Sequence, residues 1–187
     1  MFSIKNWKIK RLIKNIKVMQ QHRVHNQPSD DLIKKEIAYC LELAKFFKDM
    51  NSDKRNPYPK ILLIECYRAA ANLDCADAHV ELAQLLISEA KYRMQLDTEG
   101  IFNSKENIKQ SEALFKEALA HLDEAEKLDY PKGKRLKGIC YINGWGVTAN
   151  QKIGLELVIS SIEQEGCYRF SSGASYAVNR LYAFGAK

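Results

Sequence analysis

From residue 31 onward apolar residues recur at spacings of three and four, the period of a helix with one buried side, and short polar breakers separate the runs. The first run carries Ile33, Ile37, Leu41, Ala44 and Phe47. It follows the start signal Pro28-Ser29-Asp30, with Ser29 or Asp30 as the expected N-cap, and stops near Asn51-Ser52-Asp53. Pro57 and Pro59 open a second helix carrying Leu63, Ile64, Tyr67, Ala70 and Ala71. A break at Leu73-Asp74-Cys75 precedes a third, with Ala78, Leu82, Ala83, Leu86 and Ala90. Residues 97–106 are polar, contain Gly100 and read as a loop, in which Asn103 with Glu106 has the spacing of a capping box. A fourth helix follows with Leu114, Ala118, Leu122 and Ala125. Pro131 opens a fifth, where its missing N–H costs nothing, and Asn143-Gly144 ends it. Thr148 with Gln151 predicts the cap of a sixth helix reaching about residue 165, and Ser171 or Ser172 the start of a short last one.

Upstream, Ile9, Leu12, Ile13, Ile16 and Met19 form one apolar stripe. Lys10, Arg11, Lys14 and Lys17 fall on the other side, and Phe2 and Trp7 supply aromatic anchors, Trp7 lying off the stripe. The expected organisation is all-α: a basic amphipathic N-terminal helix over 1–27, then a helical domain over 28–187.

The helices repeat one another. The clearest copy is Gly133-x3-Lys137-Gly138-x2-Tyr141-x2-Gly144-x-Gly146-Val147. Others are Ala174-x3-Val178-Asn179-x2-Tyr182-x2-Gly185, Ala78-x3-Leu82-Ala83-x2-Leu86 and Tyr39-x3-Leu43-Ala44-x2-Phe47. The offsets are 39, 55 and 41 residues, the long one reflecting extra residues around 97–107. Second helices recur as well: Ile64, Tyr67, Ala70, Ala71 and Asp74 align with Leu119, Leu122, Ala125, Glu126 and Asp129, and Gly154, Leu157, Ser160 and Ser161 continue the series. One large residue followed by small ones fits a side chain seated between helices whose backbones approach closely.

These residues resemble the SEL-one-like repeat family, related to tetratricopeptide repeats, whose units read A-x3-L-G-x2-Y-x2-G-x-G-V and then a second helix with A-x2-W-x3-A-A. The resemblance spans residues 31–187 and is most specific over 133–147. Lys137 departs from it, standing where the family has Leu, and Tyr67, Leu122 and Leu157 stand where it has Trp. The resemblance implies a short α-solenoid of antiparallel hairpins, about three plus a terminal helix, with a concave side that grips partner proteins. It implies a non-catalytic adaptor or scaffold, of a kind frequent in bacteria, including systems for protein secretion or host interaction. Stacking is physically apt, because a lone hairpin cannot cover its own apolar side.

Charge separates the two parts of the chain. Residues 1–25 hold seven Lys and Arg and no acidic residue, leaving 22 basic against 23 acidic residues in the rest. The net charge of +6 is therefore a property of the N-terminal helix, and nucleic acid is not an expected partner of the body. The basic helix fits either packing on the first repeat, an anionic membrane surface, or a partner's groove. For the membrane or partner reading the residues are Trp7, Lys10, Arg11, Lys14 and Lys17. It makes a peripheral membrane regulator the alternative to the adaptor.

Chemistry has few footholds. Five cysteines, Cys40, Cys66, Cys75, Cys140 and Cys167, are odd in number and widely spaced, which argues for small buried thiols in a reducing compartment. His22-x2-His25 lacks neighbouring ligands and reads as a solvated pair. His79 and His121 read as surface residues, and Asp123, Glu124, Glu126 and Asp129 as a charged outer surface paired through Lys127. No catalytic residue, metal site or cofactor is expected, and the chain is not predicted to be an enzyme. With Ala78, Leu82 and Ala83 inward, partner contacts are expected from His79, Glu81, Gln84 and Ser88 and their counterparts Glu42, Lys45, Arg135, Ile139 and Arg180. Without an apolar run of 18 residues or a signal-peptide core, the expected location is the cytoplasm, or export by a dedicated route, with membrane association through residues 1–25.

Overall fold

The computed structural model describes residues 2–25, 29–50, 58–100 and 105–165. Among them are seven helices and no strand: α1 (Phe2–His25), α2 (Asp30–Met50), α3 (Tyr58–Ala71), α4 (Ala76–Thr98), α5 (Lys105–Lys127), α6 (Pro131–Asn143) and α7 (Gln151–Gln164). None of these helices is long and apolar enough to cross a membrane. The expected last helix from Ser171 or Ser172, the repeat copy over 174–185 with Arg180, Cys167, the Asn103 cap and the prolines Pro28 and Pro57 lie outside the described residues. The chain divides into two compact units, Met1–Leu85 and Leu86–Lys187.

In the first unit α1 packs on α2, and α2 on α3. Ser29 starts α2, its hydroxyl accepting from the Leu32 N–H at 3.4 Å. The buried stripe of α2 is Glu36, Cys40, Leu43, Ala44 and Phe47, rotated from the expected one, so that Ile33, Ile37 and Leu41 are only half-buried. The rotation follows from having a helix on each side: α1 and α3 share α2, and its most buried line runs between them. Leu12 of α1 is buried, with Ile9, Ile16 and Met19 half-buried beside it, whereas Ile13 at the edge of the expected stripe is exposed. Arg23 reaches from α1 to Glu36, its Nε 3.4 Å from one carboxylate oxygen and its Nη2 3.5 Å from the other. Glu36 is only 2% exposed, so this ion pair compensates a carboxylate taken almost entirely out of water.

The turns after α3 and α5 are alike. Cys75 N–H donates to the Ala70 carbonyl and Tyr130 N–H to the Ala125 carbonyl, five residues back in each case. Asp74 and Asp129, at matching positions 55 residues apart, both take positive φ, 57° and 55°. This is the left-handed close of a helix, made here with Asp, one of the residues that tolerate it. Ala70, Ala118, Leu122 and Ala125 are fully buried beside these turns. Pro131 then occupies the first turn of α6 with Tyr130 as N-cap. α4 starts at the equivalent point but runs on for 23 residues against 13 for α6. Where α6 meets Gly144-Trp145-Gly146, α4 has Glu89-Ala90-Lys91, all helix formers, so α4 runs on to Thr98, two residues into the expected loop.

In the second unit α6 packs on both α5 and α7. A Cβ on Gly138 would lie 2.6 Å from the Gly154 carbonyl oxygen and 2.8 Å from Val158 Cγ2. One on Gly154 would lie 2.6 Å from Ile142 Cγ1 and 2.7 Å from the Gly138 oxygen. The two backbones therefore touch, a closeness that only glycine permits. Lys137, at the position matching fully buried Leu82, is accommodated by two carboxylates of α5, Asp123 at 2.7 Å and Glu126 at 2.6 Å. Burial works to lower the Lys137 ammonium pKa, and these two hydrogen bonds outweigh it, so the net shift is upward. Asn150, not Thr148, caps α7, accepting from the Ile153 N–H at 3.1 Å.

The thiols of Cys40, Cys66 and Cys140 are buried, and Cys75 is half-buried. Burial pushes Cys40 and Cys140 up to about 11 and Cys66 up to about 12, leaving them neutral and unreactive near pH 7.

Gly154→Val forces α6 and α7 apart and is expected to cost about 1–3 kcal/mol. In thermal unfolding followed by circular dichroism that is a fall in Tm of about 3–10 °C. Ile159→Ala, at an exposed site on the same helix, should change Tm little. Equal melting of the two variants would show that the α6–α7 contact is not close.

Candidate partner-binding site

An open groove of the second unit is built on the turn between α6 and α7. Gly144 closes α6 in the left-handed region at φ 71°, with its N–H on the Cys140 carbonyl. Trp145 N–H donates to that same carbonyl at 2.9 Å, and Asn150 N–H to the Tyr141 carbonyl at 2.8 Å, so the turn is tied to α6 at both ends. Gly146 repeats the positive φ, at 72°. A Cβ there would meet the Phe115 carbonyl oxygen and Leu119 Cδ1, each at 2.8 Å. The turn thus rests directly on the backbone of α5, and this contact sets the position of Trp145.

The Trp145 ring stacks on Phe115, with centroids 5.9 Å apart and planes 6° from parallel. Phe115 is buried beneath it. Lys91 Nζ stands 4.9 Å from the centroid of the Trp145 ring, a cation–π contact that holds the indole on a further side. Trp145 and Val147 form one wall of an open groove of about 840 Å³, whose other side comes from the end of α4 and the start of α5. There Met94 and Ile108 are 44% and 43% exposed, large apolar side chains left facing solvent. Glu112 and Lys116 add one charge of each sign, and Asp97 and Thr98 edge the α4 side. Such a groove can take an apolar or aromatic side chain against Trp145 and orient a backbone by the polar edge.

The residues expected from sequence to bind a partner are placed elsewhere. Glu42, Lys45, Gln84 and Ser88 are exposed, and Arg135 and Ile139 half-buried. His79 is corrected: it is only 5% exposed. At about 100° per residue it falls in the middle of the arc from Ala78 through Leu82 and Ala83 to Val80, and all four are buried. An inward stripe drawn from Ala78, Leu82 and Ala83 alone was too narrow. Glu81 is engaged within the first unit, accepting from Lys48 Nζ at 2.8 Å and from the Tyr67 hydroxyl at 3.4 Å. Burial first, then the Glu81 carboxylate, pushes the Tyr67 phenol up to about 12. Arg135 pairs with Glu165 at 2.7 Å.

Of the N-terminal set, Trp7, Lys10, Arg11, Lys14 and Lys17 are all exposed on α1. Trp7 and Arg11 share a small recess of about 170 Å³ with Tyr39 and Glu42, so residues from the two expected sets meet there. His22 and His25 lie exposed near the end of α1, and His121 is half-buried. Among the described residues no three His, Cys, Asp or Glu are grouped so as to hold a metal ion. Trp145, Phe115, Met94 and Ile108 were not foreseen. Trp145 occupies the variable position between two glycines of the repeat, and a Trp at an unconstrained place beside a tight turn is the signal that was there to be read.

No protein-family model matches the chain, and no curated protein matches it.

Gly146→Ala combines left-handed strain with a clash on the α5 backbone, costing about 1–3 kcal/mol from the strain alone. The expected signature is loss of the near-ultraviolet dichroism of the Trp145–Phe115 stack with far-ultraviolet helicity retained. Unchanged near-ultraviolet signal would mean that Gly146 does not seat the indole.

Proposed function

We propose that this protein is a binding module, an adaptor or scaffold made of SEL-one-like helical repeats arranged as a short α-solenoid. The groove of the second unit is proposed to receive a segment of a partner protein. The observation that carries the reading is the groove itself: an indole stacked on Phe115 with Lys91 over its ring, and Met94 and Ile108 exposed in the same groove. Rigid aromatic anchors are frequent hot spots of protein recognition, because little conformational entropy is lost when they are covered. Further support comes from the matching turns after α3 and α5 and from the recurrence of small residues at Ala78, Ala83, Gly133 and Gly138, which fit stacked hairpin repeats. Placement in a bacterial secretion or host-interaction system rests on the family resemblance alone.

Peptide display against the full chain tests this reading. Selected peptides are expected to carry an apolar or aromatic anchor and to bind at micromolar Kd. Trp145→Ala is expected to weaken them at least about tenfold, an amount within the range of hot-spot truncations, while leaving Tm within a few degrees. Peptides that bind the Trp145→Ala variant as well as the parent would place recognition on another surface.

A further inference from the structure

Among the described residues, α1 has an unpartnered outer side. Leu12 is buried against the first unit, and at about 100° per residue the positions opposite it are Lys10, Lys14 and Lys17, with Trp7 and Val18 on one shoulder and Val24 on the other. All six are exposed, Trp7 at 58% and Val24 at 80%. Residues 1–25 contain no Asp or Glu. No ion pair to Lys10, Lys14 or Lys17 forms among the described residues, so three like charges face solvent along one line. The Arg11 guanidinium lies 5.3 Å from the centre of the Trp7 ring, which adds a fourth cation beside the indole. From Trp7 to Val24 this line is about 25 Å long, at 1.5 Å rise per residue.

We propose that this outer side of α1 is a docking surface for anionic lipid membranes, with Trp7 as its interfacial anchor. Charge complementarity selects an anionic partner. The apolar residues interleaved with the lysines select a lipid surface over nucleic acid, since Trp7, Val18 and Val24 gain by entering the headgroup layer and gain nothing against a phosphodiester backbone. A flat surface is also the partner that every group on a straight 25 Å line reaches at once, by the same rise of about 1.5 Å per residue. The apolar stripe of Ile9, Leu12, Ile16 and Met19 is not what meets the membrane. It stays turned toward α2, held by the Arg23–Glu36 pair, so docking requires no opening of the first unit. The contact is therefore electrostatic and shallow, and salt weakens it.

The test is co-sedimentation of the full chain with phosphatidylcholine vesicles prepared with and without phosphatidylserine, at low and high salt. Binding is expected only with phosphatidylserine and is expected to fade at high salt. Reversing three lysines, Lys10→Glu with Lys14→Glu and Lys17→Glu, should weaken binding at least about a hundredfold, since each basic residue near an anionic surface contributes severalfold. Trp7→Phe removes one of two indoles, and the blue shift of tryptophan emission on vesicle binding should vanish with it. Unchanged helicity and Tm verify that the variants are folded, as expected for exposed sites. Three results overturn the proposal: no binding to phosphatidylserine vesicles at low salt, equal binding by the folded triple variant (which would assign the contact to the apolar stripe), or binding to duplex DNA or transfer RNA with none to vesicles.

Discussion

Close approach of helix backbones is the constraint from which the second unit follows. Gly138 and Gly154 bring α6 and α7 into backbone contact, and Gly146 brings the turn between them onto the backbone of α5. A side chain at any of the three would have to displace main chain, which cannot be accommodated by a rotamer change. Because the turn is fixed in this way, Trp145 is placed over Phe115, and the indole wall of the groove exists. The groove is thus a consequence of close packing at glycines, of which Gly146 lines the groove itself while Gly138 and Gly154 lie outside its lining. In the first unit the small residues Ala44, Ala70, Ala78 and Ala83 are all fully buried.

Charge is handled differently inside and outside. Lys137 enters a position where its repeat counterpart is Leu82, and two carboxylates of α5 meet it there. Glu36 sits among the buried residues of α2 and is met by Arg23 from α1. Each is a departure from an apolar pattern matched by a partner on the neighbouring helix, as a low-dielectric site demands. Removing either partner would leave a charge with poor solvation. Among the described residues the outer lysines of α1 have no such partner, and this contrast distinguishes a charge that holds the fold from one that is available to something else.

Much of the helical layout was legible in the sequence, because it depends on local signals. Ser29, Pro131, Gly144 and the break at Asp74 act within a turn of their own position, and each falls where the pattern put it. What was not legible depends on how many neighbours a helix has. The stripe of α2 is rotated because two helices share it, and His79 is buried because the inward arc of α4 is wider than a single stripe. The α7 cap fell to Asn150, since the turn from Gly144 is pinned by Asn150 N–H on Tyr141 and leaves Thr148 outside the first turn of the helix. The groove escaped notice because a repeat pattern marks the residues that recur, whereas Trp145, Met94 and Ile108 do not. A binding surface on a repeat scaffold is made from such non-recurring residues, so the pattern that reveals the fold conceals the site.

The proposed role of Trp145 as recognition anchor is tested most directly by its indole N–H resonance. The chain has two tryptophans, which a nitrogen-15 correlation spectrum separates once Trp7→Phe has assigned them. On titration with a peptide selected against the full chain, a progressive shift or broadening of the Trp145 indole signal is expected, with the Trp7 signal unmoved. A peptide that binds while the Trp145 signal stays fixed would contradict the account.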